Sequence, residues 1–524
     1  METIPACNPD EFRIPLEAGA SLRVEVPWAE VRQLLRDDAR TFLSLPKAIV
    51  QVSGTAWERM PWPETVAVNQ LALGPEHALW VAAADGLRTW TGEEWRSQEA
   101  RDGLGRAWAV EDVRGVSFDS QGQLWFASRA GVSCRTPQGW RFYEGKDGLP
   151  WNDFTGVAAG PEGSVWFGTR LGAIRYDGAG FHYRQGPRWL PDDQVLQIAV
   201  NARGDAWFAT AAGAGGILRE PMTLAAKAAY YEEEITRYIQ RTPFGFVAEA
   251  PLKTPGDRTT ADPQDSDNDG LWTAMYGAGE AFGYGALRDP ALKERARRAF
   301  EALRFLQQVT QGGTPAPPKG YVARTIRPIA WPDPNIGRRE RDEAEQQEDA
   351  LWKVYEPRWP RSADGQWYWK SDTSSDELDG HYFLYAAYFD LCAETEEEKN
   401  RVREVVRDLT DHLLAHGLTL TDHDGKPTRW GVYGPQFLNH NPGWWAERGL
   451  NSLSILSYLA VAEHVTGDAK YGDAARELVE KHGYGQNLMF PKVQYGPGSG
   501  NHSDDEMAVM CFYNLLKYTR DPVL

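Results

Sequence analysis

Residues 157–178, VAAGPEGSVWFGTRLGAIRYDG, decide the fold of the N-terminal part of this chain. Three more segments repeat the pattern of an apolar run, a turn, a Trp followed by small residues, and a closing Gly: LALGPEHALWVAAADGLRTW (71–90), VSFDSQGQLWFASRAGVSCR (116–135) and IAVNARGDAWFATAAGAGGI (198–217). Their tryptophans Trp80, Trp125, Trp166 and Trp207 lie 45, 41 and 41 residues apart, which is typical of one four-stranded propeller blade. We therefore predict blade-like repeats over residues 68–220, with the four indoles at equivalent positions.

The core of the third repeat, Trp166-Phe-Gly-Thr169, resembles the two-component-regulator propeller repeat, a family found in bacterial sensors and in multidomain extracytoplasmic proteins. The resemblance implies a β-propeller, and its repeated Trp and Gly residues serve packing and turns rather than a site. Four repeats are fewer than most closed propellers use. The strand-like AIVQVSG of residues 48–54 suggests that the segment 1–67 contributes a further blade, and closure of the ring stays open.

At Pro221 the apolar period changes from 2 to 3.6, which predicts a second, helical domain over residues 221–524. Three amphipathic helices are signalled by their caps: Asp289-Pro290, the capping box Thr395 to Glu398, and Asp468. Other runs are apolar or small nearly all round and predict helices buried on most sides: 271–287, 381–393, 450–462 and 507–518.

Buried and half-buried helices alternate along this domain. In this it resembles the six-hairpin (α/α)-barrel superfamily, which contains many glycoside hydrolases, some epimerases and polysaccharide lyases. We therefore expect an N-terminal β-propeller followed by an α/α toroid. The toroid is expected to be truncated, because Arg520-Asp-Pro-Val-Leu524 repeats the turn Arg288-Asp-Pro-Ala-Leu292, which launches an outer helix. Its open side should then lie beside the chain's end.

Polar clusters precede the four buried runs, at 265–272, 372–381, 440–451 and 500–506, and in a toroid they would meet at one mouth. Acids, imidazoles and indoles suit a carbohydrate site. Candidate catalytic residues are Asp376, Asp379, His381, His502, Asp505 and Glu506, with Asp379 and Asp505 as the preferred pair. Candidate substrate-binding residues are Trp272, His440, Asn441, Trp444, Trp445, Arg448 and Asn451, the two adjacent indoles as exposed stacking platforms. Alternatively, the acids cap helices and the histidines are satisfied core residues.

The run DSDNDG at Asp265, Asp267 and Asp269 imitates a calcium loop, but its twelfth position is Tyr276, where an EF-hand needs a bidentate Glu. Calcium is thus the single candidate ion, and no other cofactor is expected.

The composition and charge of the chain disfavour some classes of binding partner. The chain has 524 residues, 56 Lys+Arg and 74 Asp+Glu, so its net charge of −18 disfavours nucleic acid. We expect no membrane insertion, because no apolar run approaches a membrane span, and the start lacks a signal-peptide pattern.

The four scattered cysteines, Cys7, Cys134, Cys392 and Cys511, suit a cytoplasmic chain but also an exported one whose signal has been removed. The oligomeric state stays open.

The sequence therefore predicts a carbohydrate-active enzyme, first a glycoside hydrolase that uses paired carboxylates. One alternative is a polysaccharide lyase acting on a uronic-acid glycan. The other is a non-catalytic sensor or binding protein in which the propeller recognises a ligand and the helical domain is scaffold.

Overall fold

The computed structural model describes residues 12–15, 21–24, 28–54, 56–101, 103–105, 107–108, 111–254, 256–492 and 502–519. The chain divides into two compact units, Met1–Thr223 and Leu224–Leu524. The sequence places the change of pattern at Pro221, next to this division.

The first unit is a five-bladed β-propeller preceded by a hairpin of β1 (Phe12–Pro15) and β2 (Ser21–Val24). Blades 1 to 4 are four-stranded antiparallel sheets and blade 5 has three strands. Blade 1 comprises β3 (Gln33–Arg36), β4 (Arg40–Leu45), β5 (Ala48–Ser53) and β6 (Ala56–Arg59); blade 2 comprises β7 (Val68–Leu73), β8 (Leu79–Ala83), β9 (Gly86–Trp90) and β10 (Trp95–Gln98). Blade 3 comprises β11 (Gly115–Phe118), β12 (Leu124–Ser128), β13 (Gly131–Thr136) and β14 (Gly139–Tyr143); blade 4 comprises β15 (Phe154–Ala159), β16 (Val165–Thr169), β17 (Gly172–Tyr176) and β18 (Phe181–Arg184). Blade 5 comprises β19 (Val195–Val200), β20 (Ala206–Thr210) and β21 (Gly213–Ile217).

The four repeated indoles lie at equivalent positions, which confirms the predicted repeat. Each is the second residue of the second strand of its blade, in β8, β12, β16 and β20. Three of them meet an aromatic ring of the next blade: Trp80 lies 5.8 Å from Phe118, Trp125 6.3 Å from Phe167 and Trp166 5.2 Å from Phe208. The fourth, Trp207, is 51% exposed.

The segment before residue 68 supplies blade 1, as the strand-like 48–54 suggests. The closing pair of its β4–β5 hairpin, Leu45 and Ala48, corresponds to Ala83 and Gly86 in blade 2. Counting back three residues puts Phe42 where the other blades have Trp. A different aromatic residue at this position explains why the sequence repeat is harder to see here.

Side chains of the innermost strands join different blades. Gln33 donates to the Leu71 carbonyl at 2.9 Å and accepts from its N–H at 2.7 Å. Gln70 accepts from the N–H of Val157 at 3.0 Å and donates to its carbonyl at 2.7 Å. Gln197 of β19 donates to the carbonyl of Arg32, just before β3, and so links the last blade to the first.

The second unit is helical. Its long helices are α1 (Leu224–Glu234), α2 (Asp269–Leu287), α3 (Pro290–Gln308), α4 (Arg338–Glu348), α5 (Ser375–Leu391), α6 (Glu396–Ala415), α8 (Arg448–Thr466), α9 (Ala469–His482) and α11 (His502–Tyr518), with short helices α7 (Pro435–Leu438) and α10 (Tyr484–Asn487). Two small two-stranded antiparallel sheets, β22 (Ile326–Pro328) with β23 (Trp367–Trp369) and β24 (Thr419–Thr421) with β25 (Pro427–Val432), accompany the helices.

The three predicted caps are present. Asp289 accepts from the N–H of Ala291 at 2.9 Å, and Asp468 accepts from that of Lys470 at 3.1 Å. Thr395 and Glu398 form the reciprocal capping box at the start of α6. Each satisfies N–H groups that a helix start leaves without a partner.

The predicted buried helices correspond to α2, α5, α8 and α11, which share one large core with the amphipathic α3, α6 and α9. Helix α2 packs on α3 and α5, α8 on α6 and α9, and α11 on α5 and α8. These contacts show a helical unit and do not show a toroid. The turn Arg520–Leu524, on which the expected truncation depends, lies outside the described residues.

Candidate functional site

Three carboxylates stand where three of the buried helices begin, and their charges influence one another. Asp376 is in the first turn of α5, Glu447 is the N-cap residue of α8, and Asp504 is in the first turn of α11. Burial raises the pKa of Glu447, and the negative charges of Asp504 and Asp376 raise it further, against Arg429. Burial likewise raises the pKa of Asp504, with Asp376 adding to the effect and Lys492 opposing it. We call Asp376, Glu447 and Asp504 the acidic mouth.

The sequence anticipated Asp376 at this mouth and missed Glu447. Glu447 stands within the predicted polar cluster 440–451, between the indoles and α8, and is not among the candidate residues. Its signal was its place immediately before a buried helix, where a carboxylate faces free N–H groups. The sequence predicts acids from the clusters 376–379 and 504–506 at one mouth, with Asp379 and Asp505 as the pair, whereas the charges that influence one another here are those of Asp376, Glu447 and Asp504.

Two other predicted acids stand at the surface. Asp505 is exposed and its Oδ2 lies 3.1 Å from the Lys492 ammonium. Glu506 is also exposed. His502 begins α11, but its side chain lies outside the described residues.

Asp379 lies in the core and is only 1% exposed. Its Oδ1 accepts from the Tyr458 hydroxyl at 2.5 Å and from the Cys511 thiol at 3.1 Å, while its Oδ2 has no partner among the described residues. Burial raises the pKa of Asp379 to about 7, although these two hydrogen bonds lower it. The preferred pair Asp379 and Asp505 thus consists of one buried and one exposed carboxyl.

His381 is fully buried beside Glu377, one helical turn earlier. Its Nδ1 lies 2.7 Å from the Tyr385 hydroxyl, and its Nε2 lies 3.9 Å from Glu377 Oε2. Burial lowers the pKa of His381 to about 3 and raises that of Glu377 well above its usual range. Glu377 also accepts from the N–H of Leu271 at 3.4 Å, so it caps α2 from a neighbouring helix.

The sequence predicts that Trp444 and Trp445 are both exposed, and this prediction is wrong for Trp444. Trp444 is buried, 5% exposed, because it closes a short 3-10 turn and packs with its ring 6.2 Å from Phe437. Trp445 is exposed at 47%. Trp272 is partly buried against the core.

The other predicted substrate-binding side chains have mostly structural partners. Asn441 is exposed and accepts from the N–H of Gly443 at 2.9 Å, and His440 is exposed. Arg448 donates to the Leu438 carbonyl at 2.7 Å. Asn451 is buried and donates to the Val432 carbonyl at 3.0 Å, while its Oδ1 has no partner among the described residues.

The carboxylates of the calcium-like loop do not converge to bind one calcium ion. Each carboxylate pairs with a different basic side chain: Asp265 with Arg327, Asp267 with Lys370 and Asp269 with Arg241. Within the described ranges, no three His, Cys, Asp or Glu side chains are grouped to hold a metal ion. The run DSDNDG therefore neutralises basic side chains around the start of α2.

The propeller contains a cavity of about 540 Å³ at its centre. The cavity is lined by residues in or just before the inner strands of blades 1, 2, 4 and 5, by Ala209 of β20 and by the segment before β11. Its basic members are Arg32 and Arg114. Its apolar members are Val31, Val157, Leu196, Ile198 and Ala209. No acidic side chain belongs to the described lining, although the chain as a whole carries −18.

The sequence predicts a ligand-recognising propeller as one alternative but indicates no residue of this cavity, because the repeated Trp and Gly residues serve packing and turns. A signal was present in the inner strands, where VNQLAL of β7 and VLQIAV of β19 carry Gln at matching places. Amides on strands that face a propeller axis are expected to bind either neighbouring backbone or a ligand.

No protein-family model and no curated protein matches this chain. Solved structures match over part of it, and the chain spans about a third of the length of the first of them. The extracellular domain of a protein assigned as a hybrid two-component system from B. thetaiotaomicron is 17% identical, with TM-score 0.30, over 39% of this chain and 31% of that one. PorZ, a surface component of the type-IX secretion system of Porphyromonas gingivalis, is 15% identical, with TM-score 0.29, over 38% and 35%. Regucalcin from Agrobacterium tumefaciens is 14% identical, with TM-score 0.28, over 42% and 79%.

Helices that could cross a bilayer were also sought. Within the described ranges, none combines the length and the apolar character that such a span requires.

Proposed function

We propose that this protein is a non-catalytic recognition protein whose propeller binds a small ligand in its central cavity. The observation that carries the proposal is the cavity itself, about 540 Å³ with two guanidinium groups and no acid in its described lining. Ligand sites of small molecules are concave, a few hundred to a thousand Å³ in volume, and combine apolar walls with few polar groups. The cavity has each of these properties.

A filled cavity should abolish binding. Ala209 lines the cavity from β20, so Ala209→Phe places a ring in the ligand's space. The matched control is Ala199→Phe, at an exposed site of the same blade that does not line the cavity. A thermal-shift screen of the full chain against small metabolites should find ligands whose stabilisation disappears in Ala209→Phe and persists in Ala199→Phe. Ligands that stabilise both variants equally would contradict the proposal.

A second candidate function is the carbohydrate-active enzyme, a glycoside hydrolase or a lyase, with the helical unit as an α/α toroid. One observation favours it, the acidic mouth, where burial and like charge raise the pKa of Glu447 and Asp504 beside Asp376. A protonated acid near a carboxylate is what glycosidic cleavage requires. A uronate there would have to share Arg429 with Asp349 and Lys492 with Asp505.

The enzyme candidate has its own test. If the chain cleaves a glycan, Glu447→Gln should lower the rate by ~10²-fold or more, because general acid–base catalysis is typically worth that much. Glu506→Gln, on an exposed acid of α11, serves as control and should keep the rate. A reducing-sugar assay and ultraviolet absorbance of a 4,5-unsaturated product separate hydrolase from lyase. Equal rates in both variants would remove the mouth from any role in catalysis.

A further inference from the structure

We propose that the ligand of the propeller cavity is a small amphipathic anion, a carboxylate attached to an apolar body. This inference rests on the proposed recognition function and adds the chemical class of the ligand. It follows from three features of the lining: its positive charge, the hydrogen bonds that its amides already make to backbone groups, and its exposed apolar wall.

The charge of the cavity is positive and incompletely compensated. Asp112 lies 2.7 Å from the Arg114 guanidinium and 3.1 Å from that of Arg129, so one carboxylate serves two cations. Beside this pair the Arg114 side chain stays 25% exposed. Arg32 is exposed and, unlike Arg114, has no carboxylate in ion-pair range within the described part of the chain. A planar carboxylate matches the paired N–H groups of a guanidinium.

The amides of the lining are already engaged with backbone. Gln33 is bonded to Leu71 through both its oxygen and its nitrogen. The Gln70 oxygen accepts from Val157 and, at 3.3 Å, from Val116, and Asn69 donates to the Val113 carbonyl at 2.7 Å. A ligand rich in hydroxyl groups would have to compete with these bonds, and a desolvated hydroxyl without a partner loses free energy. This disfavours a neutral sugar.

The remaining wall of the cavity is apolar and partly exposed to solvent. Leu196 of β19 is 49% exposed, and Val31, Ile198 and Ala209 line the cavity beside it. Removing this apolar surface from water favours the binding of a ligand that covers it. An apolar body on the ligand satisfies this wall while its carboxylate stays at Arg114.

Matched probes test the ligand class. Isothermal titration of the full chain with hexanoate, 1-hexanol, acetate, glucose and glucuronate separates charge, apolar body and hydroxyl content. We expect hexanoate to bind at least about tenfold more tightly than 1-hexanol or acetate, and more tightly than either sugar. Arg114→Gln should remove most of the advantage of hexanoate over 1-hexanol, whereas Arg141→Gln, on the exposed outer strand of blade 3, should keep it.

The outcomes distinguish the inference from the function on which it rests. If 1-hexanol, glucose or glucuronate binds as tightly as hexanoate, and Ala209→Phe still abolishes that binding, the cavity is a recognition site but the ligand class is wrong. If none of the five probes binds, the ligand class is also wrong, and the screen with Ala209→Phe decides the function separately. An advantage of hexanoate that survives Arg114→Gln would likewise overturn the inference.

Discussion

Replacing Asp379 with Asn should make the protein more stable than the wild type at pH 7.5, with the difference vanishing below about pH 4. Burial raises the pKa of Asp379 from 3.8 to about 7 in the folded state. The folded state therefore holds a proton that the unfolded chain releases. The stability that this proton contributes is fully present below pH 3.8 and is lost as the pH rises to about 7.

The size of the effect follows from about 1.4 kcal/mol per pKa unit, which gives an upper bound of about 4 kcal/mol above pH 7. Asn cannot ionise and keeps an oxygen that can accept from Tyr458 and Cys511, so the variant should lack this pH dependence. Urea unfolding at pH 4 and pH 7.5 measures the difference. Asp505→Asn, on the exposed acid, should behave like the wild type. A wild type and an Asp379→Asn variant with parallel stability curves would show that Asp379 is ionised in the core.

Gly270→Ala should destabilise the protein by about 3 kcal/mol, one of the larger effects open to a single methyl group. A Cβ at Gly270 would lie 2.0 Å from Glu377 Oε2 and 2.8 Å from His381 Nε2. Both side chains are fully buried, so neither can move into solvent. The added methyl group must displace the Glu377 carboxyl from the start of α2 or separate α2 from α5.

Gly279→Ala on the same helix is the matched control, since a Cβ there has no atom within 4 Å. Removing a helical Gly at an open position should stabilise by about 0.5–1 kcal/mol. Chemical denaturation of both variants measures the contrast. Equal stability of the two would show that α2 and α5 do not approach as closely as described.

Much of the propeller was predictable because its repeat is local. Trp80, Trp125, Trp166 and Trp207 each stand within 20 residues of the turns that define their blade. Blade 1 lacks the Trp and has Phe42 instead, so only a strand-like segment indicated it. The cavity could not be predicted, because residues from 31 to 209 contribute to it and only the arrangement of all five blades brings them together.

In the helical unit, too, features encoded by neighbouring residues were predictable, whereas features that depend on residues distant in the sequence were not. Caps at Asp289, Thr395 and Asp468 are encoded within four residues and were predicted correctly. Whether a polar residue of a buried helix points to a mouth or into the core depends on its neighbours in space. Asp376 and Asp379, three residues apart on α5, have opposite outcomes: one is partly exposed at the acidic mouth and the other is buried against Tyr458.

Hydrogen–deuterium exchange of the full chain with and without a ligand tests most directly whether the propeller cavity is the functional site. The ligand should be the one that stabilises Ala199→Phe but not Ala209→Phe. The account predicts slower exchange at 31–33, 69–71 and 195–198, the inner strands around the cavity, with exchange at 375–379 and 447–451 unchanged. Protection confined to the starts of α5 and α8, or the absence of any such ligand, would contradict it.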